Sequence, residues 1–549
     1  MQRQQLVKRE KGTSLLLATA SLVFIVPLIG LFVDVGILYA VKSRLQASVD
    51  GAALAAARSL NLGASTASQA TSAKQNAVNW FYANFPPGNW GTSGTQMSTA
   101  DVSVFDDPNN PRVRNVTVTA TTSVPTWFMR FFNVTSTTLN TSGNASRRDV
   151  VAMIVLDRSG SMCSINGAAA APPCSSANAN TPCAAMISAA KVFTGQFAAG
   201  RDRIGMISFA DGTFVHSAPS TNFQTTLGYS NSSGNGAGAI DTIDCNGGTG
   251  TAQAVTLAYN ELYKLNLPGA LNFIMLETDG LPNTLAYNFW DGASAAIANG
   301  SGCTDAAGKT KAGGGWTTVA SMRQWTPGYN MNNGGTGFMS NIPAGSVGSF
   351  YTSDPAQGTF FINLFNPWQT AANTGNNSIA VTGTAPGCTF ASGTTTTYSD
   401  FGWLPGTDVY GNSVNPANAY KTITMSGGHI PLTGTIATDW PNAHGGALNA
   451  TDNAAYRART NATLPAYMFV IGLGGNSGNP PDPILLQRMA NDPNGDQFNS
   501  PAAYQPCAQE TGCITYAAQP QGTFIYSPNS TQLGQAFLRI SSQILRLSR

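Results

Sequence analysis

VAMIVLDRSGSM, residues 151–162, decides how the rest of the chain is read. Its first six residues are apolar without a break, the pattern of a strand buried on both faces of a parallel sheet. Asp157, Ser159 and Ser161 follow at alternate positions, and in an extended turn such positions point the same way. FIMLETDGLPN, residues 273–283, repeats the construction with Asp279 at the end of its apolar run. CNGGTGTAQAV, residues 245–255, places Thr249 between two glycines just before a helix-like stretch. All five side chains offer oxygen, and no His or Cys joins the pattern. That donor set suits a hard divalent ion such as Mg²⁺, Ca²⁺ or Mn²⁺ and disfavours zinc. In open α/β sheets ligands bind beyond the carboxyl ends of the strands, where Asp157 and Asp279 are expected.

DxSxS alone reads as an ordinary Ser-rich turn, and TDG as an ordinary Asp-Gly turn. In this order, with the distant Thr249, they resemble the metal-ion-dependent adhesion site of the von Willebrand factor A family. The resemblance implies that Ser159, Ser161 and Thr249 touch the ion directly or nearly so, while Asp157 and Asp279 hold it mostly through water. It implies Mg²⁺ first, with Ca²⁺ or Mn²⁺ as alternatives, and an ion left free to take a Glu or Asp carboxylate from a partner protein.

The surrounding segments suit an α/β domain with a doubly wound, mainly parallel sheet over residues 150–549. Residues 183–197 and 252–265 carry apolar residues at helical spacing, and 202–215 reads as two strands around an Asp-Gly turn. Residues 466–474 read as a further strand, PDPILLQRMA as a helix with Pro near its start, and LGQAFLRISSQILRL as an amphipathic helix. The resemblance covers about 150–283 and 465–549. Between them, residues 284–464 contain no Glu and thirteen charged residues in 181. GSFYTS, GTFFINLFNPW, SIAVTGTA and YKTITM alternate there with Gly and Asn turns, which indicates a large β-rich insertion rather than disorder. It either roofs the metal site or makes a surface excursion. WLPGTDVYGNSVN, residues 403–415, is turn-rich and carries no recognisable chemistry.

At the other end, residues 13–33 form 21 residues without a charge, long enough to span a bilayer. Residues 1–12 hold Arg3, Lys8, Arg9 and Lys11 against Glu10, so the positive-inside bias puts the N-terminus in the cytoplasm and the bulk of the chain across the membrane. A cleaved secretory signal is the alternative, but its apolar core is normally shorter. After the span come Asp34, Leu45-Gln46, Asp50 and Ala52-Ala53-Leu54-Ala55 in an Ala-rich helical continuation to residue 60. These features resemble the TadE/TadG-like proteins of the tight-adherence (Flp) pilus system, among which TadG-like proteins often carry a von Willebrand A domain. The resemblance implies a single-pass bacterial inner-membrane protein, periplasmic or surface-exposed beyond the helix. A processed prepilin would carry Glu at the fifth position after the cleaved Gly, whereas Leu17 stands there after Gly12. Residues 61–149 read as a small spacer, a helix followed by the antiparallel strands DVSVF, RNVTVTATTSVP and STTLNTS.

Net charge is +2, and 10% of residues are charged. No basic run interleaved with aromatics lies beyond the first dozen residues, so nucleic acid is not the expected partner. All eight cysteines lie beyond the span and none forms a CxxC pair, which suits disulfides in an oxidising compartment. One bond among Cys163, Cys174, Cys183 and Cys245 is expected to brace the metal site, with Cys507 paired to Cys513 and Cys303 to Cys388. His216, His429 and His444 sit in no catalytic motif and are expected on the surface or in loops. A metal-bound Ser without a base is a ligand rather than a nucleophile, so no enzyme activity is expected. A purely structural pilus-assembly scaffold and, less favoured, a metal-dependent hydrolase are the other readings.

Overall fold

The computed structural model describes residues 3–287 apart from 64, 166–167, 170–172, 211–212 and 229–238, the strands at 348–352, 360–364 and 396–397, and residues 403–548 apart from 409, 432, 434–435, 476–479 and 496–512. The chain divides into two compact units, one ending at Arg148 and the other running over Asp149–Ser548.

The first unit is built on one long helix, α1 (Arg3–Ser59). Between Leu15 and Val35 its apolar side chains are largely exposed, and it is the one described helix long and apolar enough to cross a membrane. Beyond that stretch the character changes. Val41, Leu45, Val49, Ala52, Ala53, Ala56 and Ala57 are buried at helical spacing. They pack against Ala73, Ala77 and Phe81 of α2 (Thr66–Asn84), whose first turn is closed by a capping box at Ser65. The alanines let the backbones approach. At Gly143 a Cβ would run into Asp50 of α1.

Four antiparallel strands complete this core: β1 (Ser93–Gln96), β2 (Val102–Asp106), β3 (Val113–Pro125) and β4 (Ser136–Arg148). β3 is central, paired with β4 along its whole length and with β2 and β1 in turn on its other edge. Its Val116, Val118, Ala120 and Val124 alternate into the core with α1 and α2. The helical continuation to residue 60 and the spacer from 61 therefore share one hydrophobic core, and the segment read as 1–12 is helical from Arg3.

The second unit is α/β. Its six-stranded sheet runs in the order β7-β6-β5-β8-β9-β10, where β5 is Val150–Asp157, β6 Arg203–Phe209, β7 Thr213–Ser220, β8 Leu271–Thr278, β9 Tyr467–Leu473 and β10 Thr523–Ser527. All neighbours are parallel except the β7–β6 hairpin. Every residue of β5 and β8 is buried, because helices cover both faces. Val150, Ala152, Ile154 and Leu156 face α3 (Pro182–Thr194) and α7 (Leu533–Leu547) in one core. Val151, Met153 and Val155 face α4 (Thr251–Leu265), α5 (Ile436–Thr460) and α6 (Pro483–Ala490) in the other.

Two parts of the expected β-rich insertion belong instead to the helical layer. α5 lies within 284–464, yet it packs on α4 through Ala454, Ala455 and Ala458. Its buried stripe is mostly alanine and it contains Gly445, Gly446 and Pro441, so its apolar periodicity is faint in the sequence. The glycines permit close packing, since a Cβ at Gly445 would meet Ile423 and one at Gly446 would meet Ile430 and Val414. YKTITM forms no strand. The Lys421 and Thr424 amides donate to Asn449 Oδ1 at 2.6 Å and Asn442 Oδ1 at 2.9 Å, so α5 side chains supply the partners a ladder would have given. GSFYTS and GTFFINLFNPW do contain antiparallel strands, Gly348–Thr352 and Phe360–Leu364. SIAVTGTA lies outside the described residues.

WLPGTDVYGNSVN is a structural plug. Asp408 accepts from the amides of Tyr410 (3.0 Å) and Asn412 (2.8 Å) and from Asn412 Nδ2 (2.9 Å). The tightened turn drives Tyr410 into the core, where its hydroxyl donates to Gln253 Oε1 of α4 at 3.1 Å, and Asn412 Nδ2 donates to Thr256 Oγ1.

Two disulfides join described residues, Cys163–Cys174 and Cys183–Cys245, and Cys513 is disulfide-bonded as well. Cys303, Cys388 and Cys507 are outside the described residues, and with them the other expected pairings.

Replacing Asp408 by Ala strands three buried donors and is expected to cost about 3 kcal/mol, read as a lower urea midpoint. Replacing Cys183 and Cys245 together by Ser opens a loop closed across 62 residues, which loop entropy values at about 4 kcal/mol in the same experiment.

Candidate metal centre

β5 ends at Asp157, where the side chain starts the next turn: its Oδ1 accepts from the Ser159 amide at 2.8 Å. Ser159 is extended (φ −63°, ψ 164°), which keeps Ser159 and Ser161 on one side, with their hydroxyl oxygens 2.9 Å apart. Parallel pairing of β5 with β8 sets Leu156 beside Glu277, so the next residues out, Asp157 and Thr278, meet at the carboxyl edge. Thr278 Oγ1 donates to Asp157 Oδ2 at 2.6 Å. Asp279 Oδ1 accepts from Ser161 Oγ at 2.7 Å and lies 3.4 Å from Ser159 Oγ. Four of the five residues singled out in the sequence thus form one connected cluster.

Thr249 reaches the same edge through its loop. The Gly160 amide donates to the Gly247 carbonyl at 2.8 Å, and the Asn246 amide to the Arg158 carbonyl at 2.7 Å. Thr249 exchanges two hydrogen bonds with Asn283, from its amide to Asn283 Oδ1 (2.7 Å) and from the Asn283 amide to its carbonyl (3.1 Å). Asn283 and Thr278 are therefore the residues that the sequence reading passed over. The only signal for either was its place in ETDGLPN.

The disulfides fasten these loops. Cys163 lies two residues after Ser161, and Cys183 at the start of α3 is joined to Cys245, four residues before Thr249. Cys174, Cys183 and Cys245 bring three sulfurs within 4.8 Å of one another, but each is already committed to a disulfide and is no metal ligand.

Asp157, Ser159, Thr249 and Asp279 are all at most 2% exposed, whereas Ser161 is half-buried. Ser161 and Asp279 line a cleft of about 320 Å³ that also takes in Asn180, Gly474, Gly475 and Asn529. Burial dominates the electrostatics. It pushes the carboxyl of Asp279 up to about 8, with the charge of Asp157 adding to the effect, and it raises Asp157 as well. Glu277, beneath them, lies well above the ordinary carboxyl range because it is buried and faces both aspartates. Among the described residues neither of its carboxylate oxygens has a hydrogen-bond partner of good geometry, and the Asp157 backbone offsets the shift only in part. Three acidic groups thus share one small, buried volume, where ionising more than one of them is costly without a positive charge close by.

Among the described residues no histidine stands in this cluster. His216, expected on the surface or in a loop, is on strand β7, its ring nitrogen 2.7 Å from Ser208 Oγ. Burial and then the charge of Arg158 push it down to about 3, so the ring is neutral. His444 stacks on Trp440 of α5 at 4.8 Å, and His429 sits in a short strand.

Among curated proteins none matches the chain. Structures with a detectable likeness include the PilB minor pilin from Streptococcus sanguinis, 10% identical, covering 84% of this chain and 80% of that one at a TM-score of 0.33. The vWF domain of the type V pili tip protein Mfa5 from Porphyromonas gingivalis is 14% identical and covers 74% of this chain and 98% of its own at 0.30. The pilus adhesin SpaC from Lactobacillus rhamnosus GG is 12% identical, over 81% of this chain and 36% of its own, at 0.31. Scores this low carry no argument about function. Family models are more direct: residues 12–59 match the Flp pilus-assembly TadE/G-like family, and residues 152–281 match the von Willebrand factor type A domain. Residues 12–59 are thus a TadE/G-like segment and residues 152–281 a von Willebrand factor A domain, the combination of a TadG-like pilus-assembly protein.

Proposed function

We propose that this chain is a membrane-anchored binding module of pilus assembly or anchoring, which captures a partner protein through a divalent ion held by Asp157, Ser159, Ser161, Thr249 and Asp279. The observation that carries the reading is the hydroxyl and carboxylate cluster on the carboxyl edge of the sheet, open to a cleft at Ser161 and Asp279. Its oxygens fit a hard ion, Mg²⁺ before Ca²⁺ or Mn²⁺. Such an ion supplies a Lewis-acidic position for a Glu or Asp carboxylate of the partner. The chain's own residues do the rest. Thr278 and the Ser159 amide orient Asp157, Asn283 fixes the Thr249 loop, and the disulfides hold both loops. The apolar stretch of α1 serves as a single inner-membrane anchor, with the basic residues 3–11 on the cytoplasmic side and the second unit periplasmic or surface-exposed. Asp279, the carboxyl that accepts from Ser161 Oγ, is read as a holder of the ion rather than a catalytic base, and binding rather than hydrolysis is the chemistry proposed.

Titration calorimetry of the full chain in detergent with Mg²⁺, Ca²⁺ and Mn²⁺ is expected to show binding that disappears when Asp157 and Asp279 are both changed to Ala. Equal heats in both proteins would leave a purely structural scaffold.

Protons compete with the ion for these carboxyls. Because the carboxyl of Asp279 sits at about 8 without the ion, apparent affinity should fall as pH is lowered from 8, by about tenfold per unit if one proton is displaced. An affinity constant between pH 8 and pH 6 would show that this carboxyl is not displaced from its proton.

A further inference from the structure

The turn between β3 and β4 is unlike any other surface of the first unit. Residues 126–134 read TWFMRFFNV, and Trp127, Phe131, Phe132 and Val134 are 63%, 82%, 68% and 42% exposed. A short 3₁₀ turn over Met129–Phe132, ended by Asn133 in the left-handed region (φ 67°), presents them together. A monomeric soluble surface rarely shows such a patch without a use.

Its position indicates the use. Asp34, which ends the uncharged stretch of α1, accepts from three successive amides of this turn: Trp127 at 2.9 Å, Phe128 at 2.8 Å and Met129 at 2.7 Å. Phe128 packs on Gly30, where a Cβ would overlap its ring. Gly30 lies inside the stretch that crosses the bilayer, so the turn sits alongside the last helical turn of the span rather than above it. Tyr39, 77% exposed, lies five residues beyond Asp34, about 7 Å further along the helix axis. Trp and Tyr at the end of a span are the side chains that settle at a membrane–water interface, with rings in the apolar margin and polar edges in water. Arg130 is exposed in the same turn, where its charge can lie among phosphate headgroups.

We propose that the 127–134 turn is a second membrane contact, which inserts Trp127, Phe131 and Phe132 into the interfacial layer of the leaflet where α1 emerges. The Asp34 hydrogen bonds lock the turn to the helix, so the unit is fixed in tilt and rotation on the bilayer instead of swivelling on one helix. This rests on α1 being a span, as the proposed function has it, and the occupant is lipid rather than protein.

The test uses the full chain in phosphatidylethanolamine/phosphatidylglycerol vesicles doped with lipid brominated either near the headgroup or near the chain end. Tryptophan emission of the wild type minus that of Trp127→Phe isolates Trp127, and Leu22→Trp placed in the Trp127→Phe background reports on the span. Quenching of Trp127 by the shallow bromine more than by the deep one, with Trp at 22 quenched by the deep one, is the expected result. If Trp at 22 is quenched and Trp127 is not, the span stands and the second contact is overturned. Trp127 that is shielded both from bromine and from aqueous acrylamide is covered by protein, a second copy or a partner, and this too overturns the lipid contact. If neither position is quenched, α1 is no span and the inference falls with it.

Discussion

The parallel register of β5 against β8 is the constraint on which the candidate centre depends. It sets Leu156 beside Glu277 and so delivers Asp157 and Thr278 to one level at the carboxyl edge. A slip of one residue would turn Asp157 to the opposite face and bury an uncompensated carboxylate among the helices. The register is held by the two helical layers, because alternate residues of β5 belong to different cores. Fully burying one such side chain is worth about 2 kcal/mol, and nearly all positions on both strands contribute.

Acidic groups are accommodated in this buried place because the loops are held tightly and because burial raises their carboxyls toward the neutral form. The DxSxS turn, the Thr249 loop and the segment after Asp279 are joined by backbone hydrogen bonds and by Asn283. The Cys183–Cys245 bond anchors the Thr249 side to α3. Preorganisation of this kind keeps the oxygens of Asp157, Ser159, Ser161 and Asp279 together, and the three carboxyls stay close because burial holds them toward their neutral form.

The first unit solves a different problem with related means. One helix joins a long exposed apolar stretch, the candidate span, to a buried core without interruption. The composition switch does this: large exposed apolar residues as far as Val35, then buried alanines and valines that allow α2 and the sheet to approach. Asp34 stands at the change and is buried, with three amide donors around it.

The sequence by itself determined the features carried by local pattern. Unbroken apolar runs announced β5 and β8, strong amphipathicity announced α7, an uncharged stretch announced the candidate span, and DxSxS with TDG named four side chains that the fold brings together, while Thr249 comes to the same edge through its backbone. Only tertiary structure decided what depended on contacts between distant segments. α5 was hidden because a helix packed closely on its neighbours needs alanine and glycine on its buried face rather than large apolar residues. YKTITM has strand composition, but α5 asparagines offered its amides better partners than another strand did. Thr278, Asn283 and Asp408 acquire their roles only when the chain brings a partner within hydrogen-bond reach. The disulfide pairing follows the same rule, because four cysteines allow three pairings and only the fold, which brings Cys183 of α3 beside Cys245, selects one of them.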